Sequence, residues 1–248
     1  GANINNLKSS DLEIMKIPLP PLEEQKRIVA KLDNLFAKID KAIALHQKNC
    51  EEADIFMASV LNNVFVELEE KYGLDNIGNM IDILTDYHSN GAYKNLKENV
   101  ELLDKEDYAL MIRATDLENE DYSKNVKYIT ESAYNYMSKS KVFGGEIILP
   151  KIGTIGNVYF MPYLKRPVSL AMNLFMLRCS DKVLNKYMFL FLKSSKGNED
   201  ILNKANGAVT KTITKDAVRS IELPFPPIET QQKVVAYLDE ISNKIEKI

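Results

Sequence analysis

Residues 151–157 read Lys-Ile-Gly-Thr-Ile-Gly-Asn, and they are the stretch of this chain best equipped for polar chemistry. The Gly153-Thr154-Ile155-Gly156 turn is too short for a nucleotide-cradling loop and lacks its Gly-Lys-Ser/Thr ending. Alone it reads as a hairpin turn. With Lys151 before it, Asn157 after it and the Thr154 hydroxyl within it, it could reach phosphates or base edges. Four other places carry similar groups. Arg113 and Thr115 close a strand-like run and open an acidic turn. They fit base readout, and Arg113 fits a structural ion pair to Asp116 or Glu118 equally well. Lys165-Arg166 is a basic pair before Pro167, suited to a phosphate. Asn173 has the amide that pairs bidentately with adenine, although polar residues are also common at strand starts. Lys211 and Thr212 follow a Gly207-Ala208 turn.

Catalytic chemistry finds little support. The only histidines are His46 and His88, and the only cysteines are Cys50 and Cys179. They offer no zinc spacing, no CxxC pair, no HEXXH and no Cys/His nucleophile, and GxSxG is absent. A metal-dependent nuclease needs carboxylates beside a lysine at strand ends; Glu146 and Lys151 are the one weak candidate pair. The Asn/Asp-Pro-Pro-aromatic motif of adenine methyltransferases is missing, since Pro226-Pro227 follows Phe225. No metal or cofactor is therefore expected in this chain.

The 248 residues are 45% apolar and 27% charged, ordinary for a globular protein with a real core. No apolar run approaches the ~20 residues that span a bilayer. No signal peptide is visible, although the chain does not begin with Met, and cytoplasmic residence is expected. A net charge of −3 argues against a general polyanion binder. Residues 73–131 hold 6 basic and 13 acidic side chains, and residues 132–226 hold 14 and 6. That split could make a basic face beside an acidic one, or it could be solvated charge without clustering.

The elements that must position these groups are punctuated by an internal repeat. Residues 1–42 return near the end of the chain at a constant offset of 206, without a gap. Gly1 aligns with Gly207, Pro18 with Pro224, Pro20-Pro21 with Pro226-Pro227, Gln25 with Gln231, and Leu32-Asp33 with Leu238-Asp239. Asn5 and Asn6 are the counterparts of Lys211 and Thr212, so a polar loop is expected in both copies. Leu12, Ile14 and Met15–Ile17 fit a short strand ahead of a Pro-rich corner. No Gly or Pro then occurs from 22 to 72, and Gly73 suits a helix C-cap. Ile28, Leu32, Leu35, Ile39, Ala42 and His46 form a heptad seam. It slips one step and resumes at Cys50, Ala53, Met57, Val60 and Val64. Such a helix would be ~75 Å long at 1.5 Å per residue and needs another long helix against its seam. Val234, Leu238, Ile241 and Ile245 repeat the pattern in the second copy. Between them, 74–226 reads as an α+β domain with a strongly bent mixed sheet. Strands are expected at 108–113, 146–150, 157–161 and 173–179, and a helix at 186–195.

IPLPPLEEQKRIVAKLD and its second copy LPFPPIETQQKVVAYLD resemble the signature of specificity subunits of type I restriction–modification systems. GGEIILPKIGTIGNVYFMP, MIRATDLENEDY and GAVTKTITKDAVRSIELPFPP resemble other stretches of that family, so the likeness covers essentially the whole chain. The resemblance implies target-recognition domains, each reading one half of a split DNA sequence. Long helices between them pair as an antiparallel coiled coil that sets the gap. It implies a non-catalytic subunit that recruits modification subunits, which methylate adenine with S-adenosylmethionine, and a restriction subunit driven by ATP with Mg.

On that reading 1–20 is the tail of a preceding recognition domain, 21–73 a spacer helix, 74–226 one recognition domain, and 227–248 the start of a second spacer helix. One recognition domain instead of two implies a fragment or a half-subunit. A half-subunit could homodimerise through its long helix and read a palindromic bipartite target. DNA contacts are expected from Arg113, Thr115, Lys151, Thr154, Asn157, Arg166, Asn173, Lys211 and Thr212. Helix pairing or partner docking is expected from Ile28, Leu32, Leu35, Ile39, Met57, Val60, Val234, Leu238, Ile241 and Ile245. The competing expectations are a coiled-coil scaffold whose recognition domain no longer reads DNA, and a single-chain nuclease.

Overall fold

The computed structural model describes residues 12–208 and 210–245. Asn5 and Asn6, most of the expected 1–20 tail and residues 246–248 lie outside the described residues. The chain divides into two compact units, 1–52 and 53–248.

Helix α1, Leu22–Tyr72, runs unbroken through both. It starts where the last proline of the corner ends. Glu23 and Glu24 occupy its first turn, favourable beside the helix's positive end. They pair with Lys26 (3.0 Å) and Arg27 (2.6 Å) one turn on. Gly73 follows the last residue with φ +70°, a left-handed position that costs glycine least.

In the first unit Leu12–Ile14 form the end of a helical turn, and the chain then runs extended to Pro21. The strand expected at 12–17 does not form, because among the described residues no neighbouring strand supplies it with hydrogen bonds. The second copy shows what such a partner does. Helix α7, Lys215–Arg219, and strand β10, Glu222–Pro224, occupy the equivalent places, and β10 pairs antiparallel with β1, Leu74–Asn76. The two copies agree to single hydrogen bonds. Met15 N donates to Leu12 O as Ile221 N donates to Val218 O, each at 3.2 Å. Gln25 Nε2 donates to Pro20 O at 2.7 Å, and Gln231 Nε2 to Pro226 O at 2.9 Å. Gln231 alone goes further. Its amide also donates to Lys182 O and accepts from Leu184 N, each at 3.0 Å, in a fully buried site.

The second unit is α+β, but apart from the β1–β10 pair its strands divide between two four-stranded sheets where one strongly bent sheet was expected. The first has the order β2-β9-β6-β7 and is antiparallel throughout. Its strands are β2 (Ile81–Asp86), β6 (Ile147–Pro150), β7 (Tyr159–Phe160) and β9 (Leu174–Cys179). The second has the order β4-β3-β8-β5 and is mixed, since β3 and β8 run parallel. Its strands are β3 (Ala109–Ile112), β4 (Lys127–Ile129), β5 (Lys141–Val142) and β8 (Val168–Leu170).

Alternation along the strands explains the layers. Ile148, Leu174 and Met176 of the first sheet meet Leu110, Ile112, Val168 and Leu170 of the second in one core. Ala109 and Met111 point the other way, under helices α2 (Tyr93–Asn99) and α4 (Glu131–Tyr136). Ile147 and Leu149 face a third core, which holds Leu61, Phe65 and Leu68 of α1 and Tyr187 and Phe191 of helix α5, Asn185–Lys193. Phe65 lies 5.5 Å from the Tyr187 ring and 5.3 Å from Phe191. Leu238 of helix α8, Ile228–Ile245, is buried in the same core. Both sheets are covered on two sides, so β3 and β6 read as unbroken apolar runs instead of alternating ones.

The expected seam residues differ in their surroundings. Met57, Val60 and Val234 are half-buried against that core, and Ile241 and Ile245 are half-buried. Ile28, Leu32, Leu35 and Ile39 are exposed, by 40 to 51%. No helix among the described residues is long and apolar enough to cross a membrane.

Candidate functional site

Strand direction brings most of the candidate polar residues to one edge. Asp86 at the end of β2 faces Phe175 at the start of β9, and Pro150 at the end of β6 faces Leu174. In the other sheet the parallel strands β3 and β8 end together, Ile112 beside Leu170. Only three residues then lead from β8 to β9. The segments leaving β2, β3, β6 and β8 therefore emerge side by side.

Backbone hydrogen bonds sew these segments into one surface. Lys151 N donates to Asn173 O at 2.9 Å, and Ala171 N to Ile112 O at 2.8 Å. Gly153 N donates to Lys211 O at 3.2 Å, and Ile213 N to Lys151 O at 3.1 Å. Asn206 and Thr212 exchange both backbone bonds, at 2.8 and 2.7 Å. Asn173 sits at φ +68°, a conformation asparagine tolerates better than most residues. Lys151, Thr154, Asn157, Asn173, Lys211 and Thr212 thus share an edge, although 61 residues separate the first from the last.

Side chains fix the same edge from below. Asp86 is 6% exposed and takes two ammonium groups: Lys151 Nζ at 2.7 Å on Oδ2 and Lys215 Nζ at 2.9 Å on Oδ1. Ser89 Oγ donates to Oδ1 at 2.6 Å and accepts from Lys215 at 2.8 Å. Burial pushes the Asp86 carboxyl up, but Lys151, Ser89 and Lys215 outweigh it and hold the group well below the usual carboxylate range. Arg113 makes a fork on Asp116, at 2.6 and 3.1 Å, and donates to Asn125 O at 2.6 Å. Its structural reading is therefore realised. Thr115, one residue into helix α3 (Ala114–Glu118), is exposed. Thr154 Oγ1 donates to Glu118 at 3.2 Å, and Asn157 Nδ2 to Tyr159 Oη at 3.0 Å. The Thr154 bond, with Tyr159 Oη donating to Glu118 at 3.4 Å, joins α3 to the glycine turn. Beside them lies a cleft of about 750 Å³ lined by Gly156, Asn157, Tyr122, Phe160, Phe189 and Lys186, among others.

Arg166 does not join this edge. It lies near the opposite end of β3, where Leu110 N donates to Pro167 O at 3.0 Å. There it pairs with Glu106 at 3.0 Å, donates to Asp107 O at 2.9 Å and stacks 4.8 Å from the Tyr128 ring centre.

The nuclease-like pair does not assemble either. Glu146 and Lys151 flank opposite ends of β6. Glu146 accepts from Phe143 N and Gly144 N, and from Arg178 at 2.8 Å, so it braces a turn. Among the described residues no group of three or more His, Cys, Asp or Glu could hold a metal ion.

The acidic and basic stretches do not stand wholly apart. Asp86 with Lys151 and Lys215, and Glu106 with Arg166, are pairs between them. Sequence reasoning missed Asp86, Ser89 and Lys215. Asp86 and Ser89 are local partners of each other, but the lysines that meet them lie 65 to 129 residues away, so the cluster could not be read from spacing.

The model of the type I restriction modification DNA specificity domain matches residues 1–49 and 76–248. A putative type I restriction enzyme MjaX specificity subunit of Methanocaldococcus jannaschii is 29% identical over 265 residues, which cover 98% of this chain and 56% of the relative. The type I restriction enzyme EcoKI specificity subunit of Escherichia coli K12 is 41% identical over 73 residues, 29% of this chain and 16% of the relative. A chain solved for complex assembly and conformational transition of the type I R-M system matches with a TM-score of 0.71 at 19% identity, covering 100% of this chain and 58% of its own. The HsdS subunit from Thermoanaerobacter tengcongensis matches at 0.58 and 19%, covering 100% and 57%. The structural likenesses speak for the fold. The chain spans little more than half the length of these relatives, apart from the shorter match to EcoKI. With its domain model matched over most of its length, this chain belongs to the type I restriction modification DNA specificity family, whose members here are specificity subunits.

Proposed function

We propose that this chain is a non-catalytic specificity subunit whose 74–226 domain reads one half of a bipartite DNA target. The observation that carries this reading is the shared edge of the two sheets in a member of a DNA specificity family. Thr115, Thr154, Asn157, Asn173, Lys211 and Thr212 are the proposed DNA-facing groups there. Arg113 and Lys151, held by Asp116 and Asp86, position the segments that carry them. Arg166, on the opposite edge, stands outside the set. Phosphate contacts would supply much of the affinity and make it fall with salt.

Partners follow from the same reading. Modification subunits supply adenine methylation with S-adenosylmethionine, and a restriction subunit supplies ATP-driven cleavage. Residues 1–20 are the closing tail of a preceding recognition domain, and the repeated corner and hydrogen bonds support this. The exposed seam at Ile28, Leu32, Leu35 and Ile39 supports helix pairing, either with a longer partner helix or in a homodimer. Such an assembly works in the cytoplasm. The same seam also favours a second reading, a coiled-coil scaffold that no longer reads DNA.

The deciding experiment is co-purification with the genomically adjacent adenine methyltransferase, followed by mapping of methylated sites on genomic DNA. A single split motif is expected, and Lys211→Ala should lower methylation of it. Complex formation without any methylated motif would leave the scaffold reading.

A further inference from the structure

Two lysines share one buried carboxylate at the proposed DNA-facing edge. Asp86 contributes one negative charge against the two positive charges of Lys151 and Lys215, so the cluster carries an excess of one positive charge. The two ammonium groups are not equivalent. Lys151 is enclosed, 13% exposed, with its Nζ on Asp86 and 5.7 Å from the Phe175 ring centre. Lys215 is 31% exposed and opens α7, two residues beyond Ile213, which is bonded to Lys151 O. An ammonium has three donors. In Lys215 one is directed to Asp86 and one to Ser89, which leaves the third for a ligand. Its rotamer is already fixed by the other two, so little further ordering is required on binding.

We infer that Lys215 contacts one backbone phosphate of duplex DNA and that Asp86 is the positioning residue that aims it. This rests on the DNA reading above. Within that reading it assigns a role to a residue outside the nine DNA contacts expected from the sequence. A single anionic oxygen on the third donor would balance the excess charge of the cluster. Such a contact carries no sequence information, so its loss should weaken all duplexes alike.

The test is binding of the full chain to a random-sequence DNA duplex across a series of KCl concentrations. Lys215→Gln keeps a group that can bond Asp86 and removes the charge. It should weaken binding and flatten the slope of log affinity against log salt by about 1. Lys215→Arg should restore the slope. Asp86→Asn adds a net positive charge, which alone would favour DNA, but it releases the Lys215 ammonium. Loss of the aimed contact should still weaken binding in the wild-type background, and with Lys215→Gln present it should no longer do so, because the two act as one unit. Thermal unfolding checks that each variant is folded. A folded Lys215→Gln with an unchanged slope overturns the assignment of Lys215 alone. Additive losses overturn the positioning role of Asp86. A wild-type chain with no salt-dependent binding removes the DNA reading itself, and this inference with it.

Discussion

Gln25 and Gln231 are the same residue in two copies of one motif, and they measure what tertiary partners add to a side chain. Both cap their own Pro-Pro corner. Only Gln231 also holds Leu184 N and Lys182 O. Gln231→Ala strands the Leu184 N–H and should destabilise the second unit by about 1–3 kcal/mol. Gln25→Ala removes one bond at a half-exposed site and should cost less than about 1 kcal/mol. Thermal unfolding of the two variants decides this; equal losses would mean that the extra bonds contribute nothing. Asp86 gives a prediction in pH. Its folded pKa is lowered, so its stabilisation is full above the unfolded-chain value of about 3.9 and is lost as pH falls toward the folded value. The melting temperature of the wild type should exceed that of Asp86→Asn at neutral pH. The gap should narrow below about pH 4. A gap that stays constant down to acid pH would show that charge is not what Asp86 contributes.

Helices α5 and α6 (Ser195–Asn203) meet at a corner that only a small residue permits. Ser194 caps α6 by accepting from Gly197 N at 3.2 Å, and its hydroxyl donates back to Phe191 O at 2.6 Å. A Cβ on Gly197 would collide with that same Phe191 carbonyl and lie 2.8 Å from Leu192 Cα. Both neighbours are backbone, so the corner must open. Gly197→Ala should cost about 1–3 kcal/mol despite alanine's better helix propensity. A melting temperature at or above that of the wild type would contradict the close packing. The collision was invisible in the sequence, because the Phe191 and Leu192 backbone meets Gly197 only once the corner between the two helices has formed.

The whole chain divides its apolar surface unevenly. From Leu61 onward one face of α1, Leu61, Phe65 and Leu68, is buried by the domain that follows it, while Leu32, Phe36 and Ile39 remain about half exposed. Such a stripe favours association, because each apolar side chain removed from water contributes about 25 cal/mol per Å². Leu32→Glu with Ile39→Glu should therefore convert an associated chain to monomers in sedimentation experiments. A mass that is the same before and after substitution would sink the homodimer reading. At this scale the charge split also changes meaning: two of the acids of 73–131, Asp86 and Glu106, pair with three bases of 132–226, so the two stretches are not wholly separate charged faces.

Some of this was legible in the residues alone. The repeat, the proline corners and the uninterrupted helical pattern are local, so α1, α8 and both corners could be read directly, and strands β3, β6, β7 and β9 announced themselves as apolar runs. The motif phrases carried the family resemblance. Pairing was not legible. Leu12–Ile17 and 218–223 share a pattern, yet only the second copy gains a strand, because β1 lies beside it and hydrogen bonds need a partner. The separation into two sheets, the shared edge and the Asp86 cluster depended on which distant segments meet. Arg113 and Arg166 show the same division: the sequence offered both as basic candidates, and strand direction sent them toward opposite ends of β3. Local patterns determine which elements form, because propensity and periodicity act over a few residues. Long-range burial and pairing decide which of their side chains stand together, because those energies exist only after the chain has closed on itself.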